Sequence, residues 1–96
     1  MTKKKASQIC MVTVMGADKV GIVGKLATVM AKANINILDI DQKVIEDTFV
    51  MTMAVDIGAA TIDMAQIKKR IDRAAKDMSL RITVQDENIF KAMHRM

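Results

Sequence analysis

The chain has no tryptophan and no tyrosine, and its 96 residues include two phenylalanines, one histidine and one cysteine. Each scarcity removes a class of function. Sheet domains that read RNA stack bases on aromatic side chains, and two phenylalanines make a poor platform. Cys10 has no partner for an intramolecular disulfide; inside an apolar run it reads as a small buried hydrophobe. His94 is the lone histidine, so no Cys/His cluster exists for a metal, and the scattered aspartates lack calcium-loop spacing. Nothing in the sequence pairs His94 with Cys10 as a catalytic dyad, so the expectation is a protein that is not an enzyme and needs no cofactor. Long apolar runs are also missing. No stretch approaches a membrane span and no signal-peptide pattern is read at the start, which predicts a cytoplasmic protein off the membrane.

What the chain does have is aliphatic. Apolar residues make up 51% of it and ten are methionine, which predicts a real core filled by branched aliphatics and soft thioethers. A domain of this size buries roughly 60–70% of its unfolded surface, so a partner subunit adds useful stability. The net charge of +4 is a mild excess. Part of it sits in Lys3, Lys4 and Lys5 at the start. The other cluster, Lys68, Lys69, Arg70, Arg73 and Lys76, shares its segment with Asp63, Asp72 and Asp77, and reads as a solvated helix face rather than a nucleic-acid surface.

The hydrophobic period changes along the chain in a definite order. Residues 9–15 form an apolar, β-rich run closed by Gly16. Ile22, Val23, Leu26, Val29, Met30 and Ala33 then recur at helical spacing, with Asn34 as a stop signal. From Ile35 the period is two: Leu38, Ile40 and Val44 alternate with Asp39, Asp41 and Lys43. Glu46 and Asp47 make a short turn into a second alternating run at 49–57, so these two strands form a hairpin. Thr61 is a candidate N-cap for a helix carrying Ile67, Ile71, Ala74 and Met78. Leu80, Ile82 and Val84 mark a fourth strand, and residues 88–95 suit a short final helix.

The order β-α-β-β-α-β predicts an α+β, ferredoxin-like fold: a four-stranded antiparallel sheet with two helices on one face, plus a short C-terminal helix. Right-handed crossovers place strands one and three in the centre. The runs agree, because the second and fourth have one polar face and the first and third are apolar or small on both. The exposed sheet face or an unpaired edge then predicts a homodimer; a C-terminal helix folded over that face is the alternative.

The turn at 16–25 is the most informative stretch. A glycine-bearing turn between strand and helix leaves backbone N–H groups and the positive end of a helix dipole for a small anion. No nucleophile or general base lies in it, so it reads as a binding site. Gly16 and Gly21 have P-loop spacing, but Ile22-Val23 follows where Lys-Ser/Thr is required. Acylphosphatases share this topology and need a first-loop arginine; here Lys19 takes that place and no arginine precedes Arg70.

Asp18-Lys19-Val20-Gly21-Ile22-Val23 after a strand, followed by Asn34-Ile35-Asn36-Ile37 leading into the next, resembles the ACT domain family, with Val20 where that family commonly has proline. The later Asp39-Ile40-Asp41-Gln42, the Phe49-Val50-Met51-Thr52-Met53 run and Ile89-Phe90-Lys91-Ala92-Met93 resemble small stand-alone prokaryotic ACT proteins, akin to the regulatory half of the glycine cleavage repressor. The resemblance implies a regulatory domain at 9–86, with a tail at 1–8 and an extension at 87–96. It also implies a homodimer that binds an amino acid or similar metabolite and modulates a metabolic enzyme or a transcriptional regulator; a ligand-free dimerisation or docking module is the alternative. The implied ligand site is Asp18, Lys19, Val20, Gly21, Ile22, Asn36 and Asp39, between the first turn and a neighbour's second strand. Backbone N–H groups at 20–23 suit an α-carboxylate, and Asp18, Asn36 or Asp39 can accept from an ammonium group. Each residue also has a structural reading: Asp18 as a helix cap, Gly21 as a backbone angle or close packing, Asn36 as a turn residue and Asp39 as a solvent-facing charge.

Overall fold

The computed structural model describes residues 7–93; the readings placed on Lys3, Lys4, Lys5 and His94 lie outside the described residues. Chain order is β1 (Ile9–Ala17), α1 (Ile22–Lys32), β2 (Asn36–Ile45), β3 (Thr48–Asp56), α2 (Met64–Met78), β4 (Arg81–Asp86) and α3 (Glu87–Met93). The sheet runs β2-β3-β1-β4, antiparallel throughout. This is the ferredoxin-like order, with the two most apolar strands in the middle.

Alternation decides which face is core. Cys10, Val12 and Val14 of β1 and Phe49, Met51, Met53 and Val55 of β3 are buried, and their odd-even neighbours are half-buried. The buried set packs on Ile22, Leu26 and Met30 of α1 and on Ile67, Ile71, Ala74 and Ala75 of α2. Deleting a side chain such as Leu26 from this core would cost about 2–5 kcal/mol.

Two local expectations are corrected. β1 does not end at Gly16 but continues to Ala17, with Gly16 opposite Phe49. The glycine is there because a Cβ would stand 2.7 Å from Leu80 Cδ2 and 3.3 Å from the Ser79 carbonyl; it marks where the α2–β4 connection crosses the strand. The cap of α2 is Asp63 rather than Thr61. Asp63 Oδ1 accepts from the Gln66 amide at 2.9 Å, and Gln66 Oε1 accepts from the Asp63 amide at 3.4 Å, a reciprocal box that satisfies two otherwise orphaned donors. Asp63→Ala is therefore expected to lower stability by about 1 kcal/mol in chemical denaturation. Thr61→Ala, outside the box, should leave the midpoint unchanged.

α3 lies on the face opposite α1 and α2. Ile82 and Val84 pack against the core while Gln85 stands opposite Met11 on the other face, and Gln85 Nε2 donates to Met93 Sδ at 3.1 Å. The final helix thus covers part of the face that the sequence left open, and Met15 at its far end stays 46% exposed.

The β2 edge is different. Ile40 opposes Met53 and Val44 opposes Phe49, so both share the helix-covered face. The helical layer stops short of them: Ile40 is 38% exposed and Val44 54%. A bulge between Ile37 and Asp39 puts Leu38, also exposed, out of register.

Candidate functional site at the β1–α1 turn

The turn is built by three restraints. The Asp18 amide donates to the Asp47 carbonyl at 2.9 Å, tying the turn to the β2–β3 hairpin. Lys19 Nζ donates to the Met78 carbonyl, placing a cation on the negative end of α2. Gly21 then enters α1 with φ +92°, in the left-handed region, where a side chain carries a cost. A Cβ at Gly21 would meet open space, so of the readings for this glycine the backbone angle holds and close packing does not.

Asp18 does not cap the helix. The N-cap is Gly21, no side chain bonds to the first turn, and that turn holds no acidic residue. The N–H groups at the start of α1 therefore have no side-chain acceptor, at the positive end of the dipole. Val20 is fully exposed and Ile22 is 2% exposed with its side chain in the core, so Ile22 can offer a ligand only its backbone. Lys19, held on Met78, is a brace for the turn.

The other two site residues are elsewhere. Asn36 begins β2 opposite Asp56, and Asp39 stands opposite Ala54; both are exposed. The turn sits at the opposite end of the sheet, roughly 25 Å of strand away. Asn36 instead borders a broad hollow of about 670 Å³ with Ser7, Ile9, Asn34, Leu38 and Asp56. Within one copy the predicted site is two separate half-sites. Sequence reasoning missed Asp47, which clasps the turn through a carbonyl that residue type does not mark. It also missed that Asn34, at φ +57°, donates from Nδ2 to the Ala59 carbonyl at 2.9 Å.

Cys10 lies buried in the core with a free thiol. Burial first, and Asp86 second, raise its thiol above the ordinary 9.0, with Lys68 opposing. The neutral thiol is favoured in the fold, so stability is fully present below pH 9 and falls as pH rises toward the raised native value. Native protein at neutral pH is expected to react with iodoacetamide far more slowly than denaturant-unfolded protein; equal rates would place Cys10 outside the core.

Among the described residues no three His, Cys, Asp or Glu side chains gather as a metal site, and no helix is long and apolar enough to cross a membrane. A family model described as an ACT domain matches residues 8–85. A UPF0237 protein of Methanocaldococcus jannaschii is 44% identical over 85 residues, covering 88% of this chain and 94% of the relative. Among solved structures, an ACT domain protein from Streptococcus pneumoniae superposes with TM-score 0.76 at 28% identity, covering 93% of this chain and all of that one. A protein assigned as a glycine cleavage system transcriptional repressor gives TM-score 0.72 at 16% identity, covering 82% of this chain and 45% of the other, a likeness of fold.

Proposed function

Since this chain belongs to the ACT domain family, we propose that it is a cytoplasmic regulatory module, not an enzyme, that binds an amino acid or similar small metabolite as a homodimer. Its output is the modulation of a metabolic enzyme or a transcriptional regulator. The observation that carries this reading is the separation of the two half-sites, which a second copy reunites.

β2 is the edge that favours self-association. Its apolar row overhangs the helices, whereas Ile82 and Val84 of the other edge strand pack on the core. Antiparallel pairing of two β2 strands about a two-fold axis at Gln42 sets Ile40 opposite Val44 of the second copy and Asp41 opposite Lys43. Apolar meets apolar on one face, and acid meets base on the other. An axis at Asp41 would instead oppose two aspartates. With the axis at Gln42 the Asn36 end of each strand runs toward the other copy's 45–48 region. The Asp18–Asp47 bond places the turn there.

Each composite site then has complementary donors and acceptors. The N–H groups that open α1 suit the α-carboxylate, with Gly21 leaving the backbone approachable. Asn36, Asp39 or Asp18 accept from the ammonium group. Lys19 steadies the loop and Val20 gives the ligand side chain an apolar neighbour. The test is calorimetric titration of the full chain with the proteinogenic amino acids, singly, at millimolar concentration. A saturable signal for one or a few supports the reading; silence across the panel moves it to a ligand-free docking module. That second reading is favoured by Ile89 and Met93 of α3, which are 56% and 64% exposed and present an apolar strip to a partner.

A further inference from the structure

The basic residues of α2 are exposed, as a solvated helix face requires, but they are not evenly spread around it. The fold sorts the charges. Asp63 is consumed as the helix cap, and Asp72 turns to the β4 flank beside Lys68 and Gln85. Arg70 and Arg73 lie on the other flank, facing α1. There they line a groove of about 330 Å³ with Lys25, Val29, Lys32, Ala74 and Asp77, and Lys69 and Gln66 extend it outward. Two cations come from each helix against one carboxylate, and none of these five groups has an oppositely charged partner within 4 Å among the described residues.

The geometry points to a second binding site here, distinct from the turn, for a compact polyanion bearing phosphate groups. Lys25 and Lys32 are two turns apart on one stripe of α1, roughly 10 Å along the axis. Arg70 and Arg73, one turn apart on α2, form the opposite wall. Guanidinium forks match phosphate oxygens in pairs, and lysines supply the remaining charge as points. Four cations against the single carboxylate of Asp77 leave a net like-charge repulsion, which a bound polyanion relieves. The groove is small and lined by no aromatic ring, which suits a small phosphorylated molecule better than a nucleic-acid strand needing stacking.

The experiment is a titration of the isotope-labelled full chain with inorganic pyrophosphate at physiological salt, followed by NMR. Expected are saturable shifts centred on Lys25, Lys32, Arg70 and Arg73. Arg70→Gln/Arg73→Gln should weaken binding about tenfold or more, and Lys25→Gln/Lys32→Gln should weaken it from the opposite wall. Both pairs are exposed; circular dichroism checks that each variant folds. The site is overturned by non-saturating or scattered shifts, by a double variant that binds as the parent does, or by tighter binding of a glutamate-rich peptide, which would make the groove a surface for an acidic protein segment. Because the probe carries no amino acid, this outcome is separate from that of the amino-acid titration.

Discussion

Gly21→Val is expected to abolish the proposed calorimetric response to amino acids while the protein keeps its fold and the proposed dimer. The backbone at this position has φ +92°, where a β-branched residue is a genuine outlier. Holding it there would cost about 1–3 kcal/mol, and the chain escapes the strain by reshaping the turn. Since a Cβ meets open space, no core contact is lost, and β1 and α1 remain anchored by Val12, Val14, Ile22 and Leu26. What changes is the aim of the N–H groups at the helix start, and with it any carboxylate site. Circular dichroism and size-exclusion chromatography check the fold and assembly; Ala65→Ser, at an exposed position on α2 away from the turn, serves as the control. Undiminished amino-acid binding by Gly21→Val would remove the turn from the site.

Ile40→Lys/Val44→Lys is expected to turn the dimer into a monomer, raising the dissociation constant by about 100-fold or more through lost apolar contact and like-charge opposition. Analytical ultracentrifugation over a dilution series reads it directly. The charge register has its own check. Asp41→Lys sets lysine against Lys43 of the second copy and weakens assembly, and adding Lys43→Asp restores opposite signs and should restore the dimer. Failure of that rescue would displace the two-fold axis from Gln42. Loss of the amino-acid signal in the monomeric variant would tie binding to assembly, as two separated half-sites require.

Most of the fold is legible in one dimension because burial imposes a period. The alternation at Met51, Met53 and Val55 and the three-four spacing at Ile67, Ile71 and Ala74 report which face each element turns inward. Caps are less legible, since Thr61 and Asp63 both qualify chemically and the choice depends on where the backbone turns helical. The role of Gly16 was hidden for a related reason: the residue that forbids a side chain there, Leu80, is distant in sequence and reaches it only after α2 has folded back.

The candidate site divides the same way. The glycine turn, its lack of a nucleophile and its place between strand and helix follow from residue order, so the sequence by itself determined the architecture, the family resemblance and the kind of chemistry the turn offers. Tertiary structure decided the rest. It freed the start of α1 by leaving Asp18 bonded through its amide to Asp47, and it committed Lys19 to the end of α2. It placed Asn36 at the far end of the sheet from Gly21, and it gathered Lys25, Lys32, Arg70 and Arg73 on one groove while sending Asp72 away. The physical reason is common to all of these. A hydrophobic period is set by neighbours along one element, whereas a carbonyl acceptor, a counter-charge or a facing wall is supplied by a segment that only long-range packing brings near.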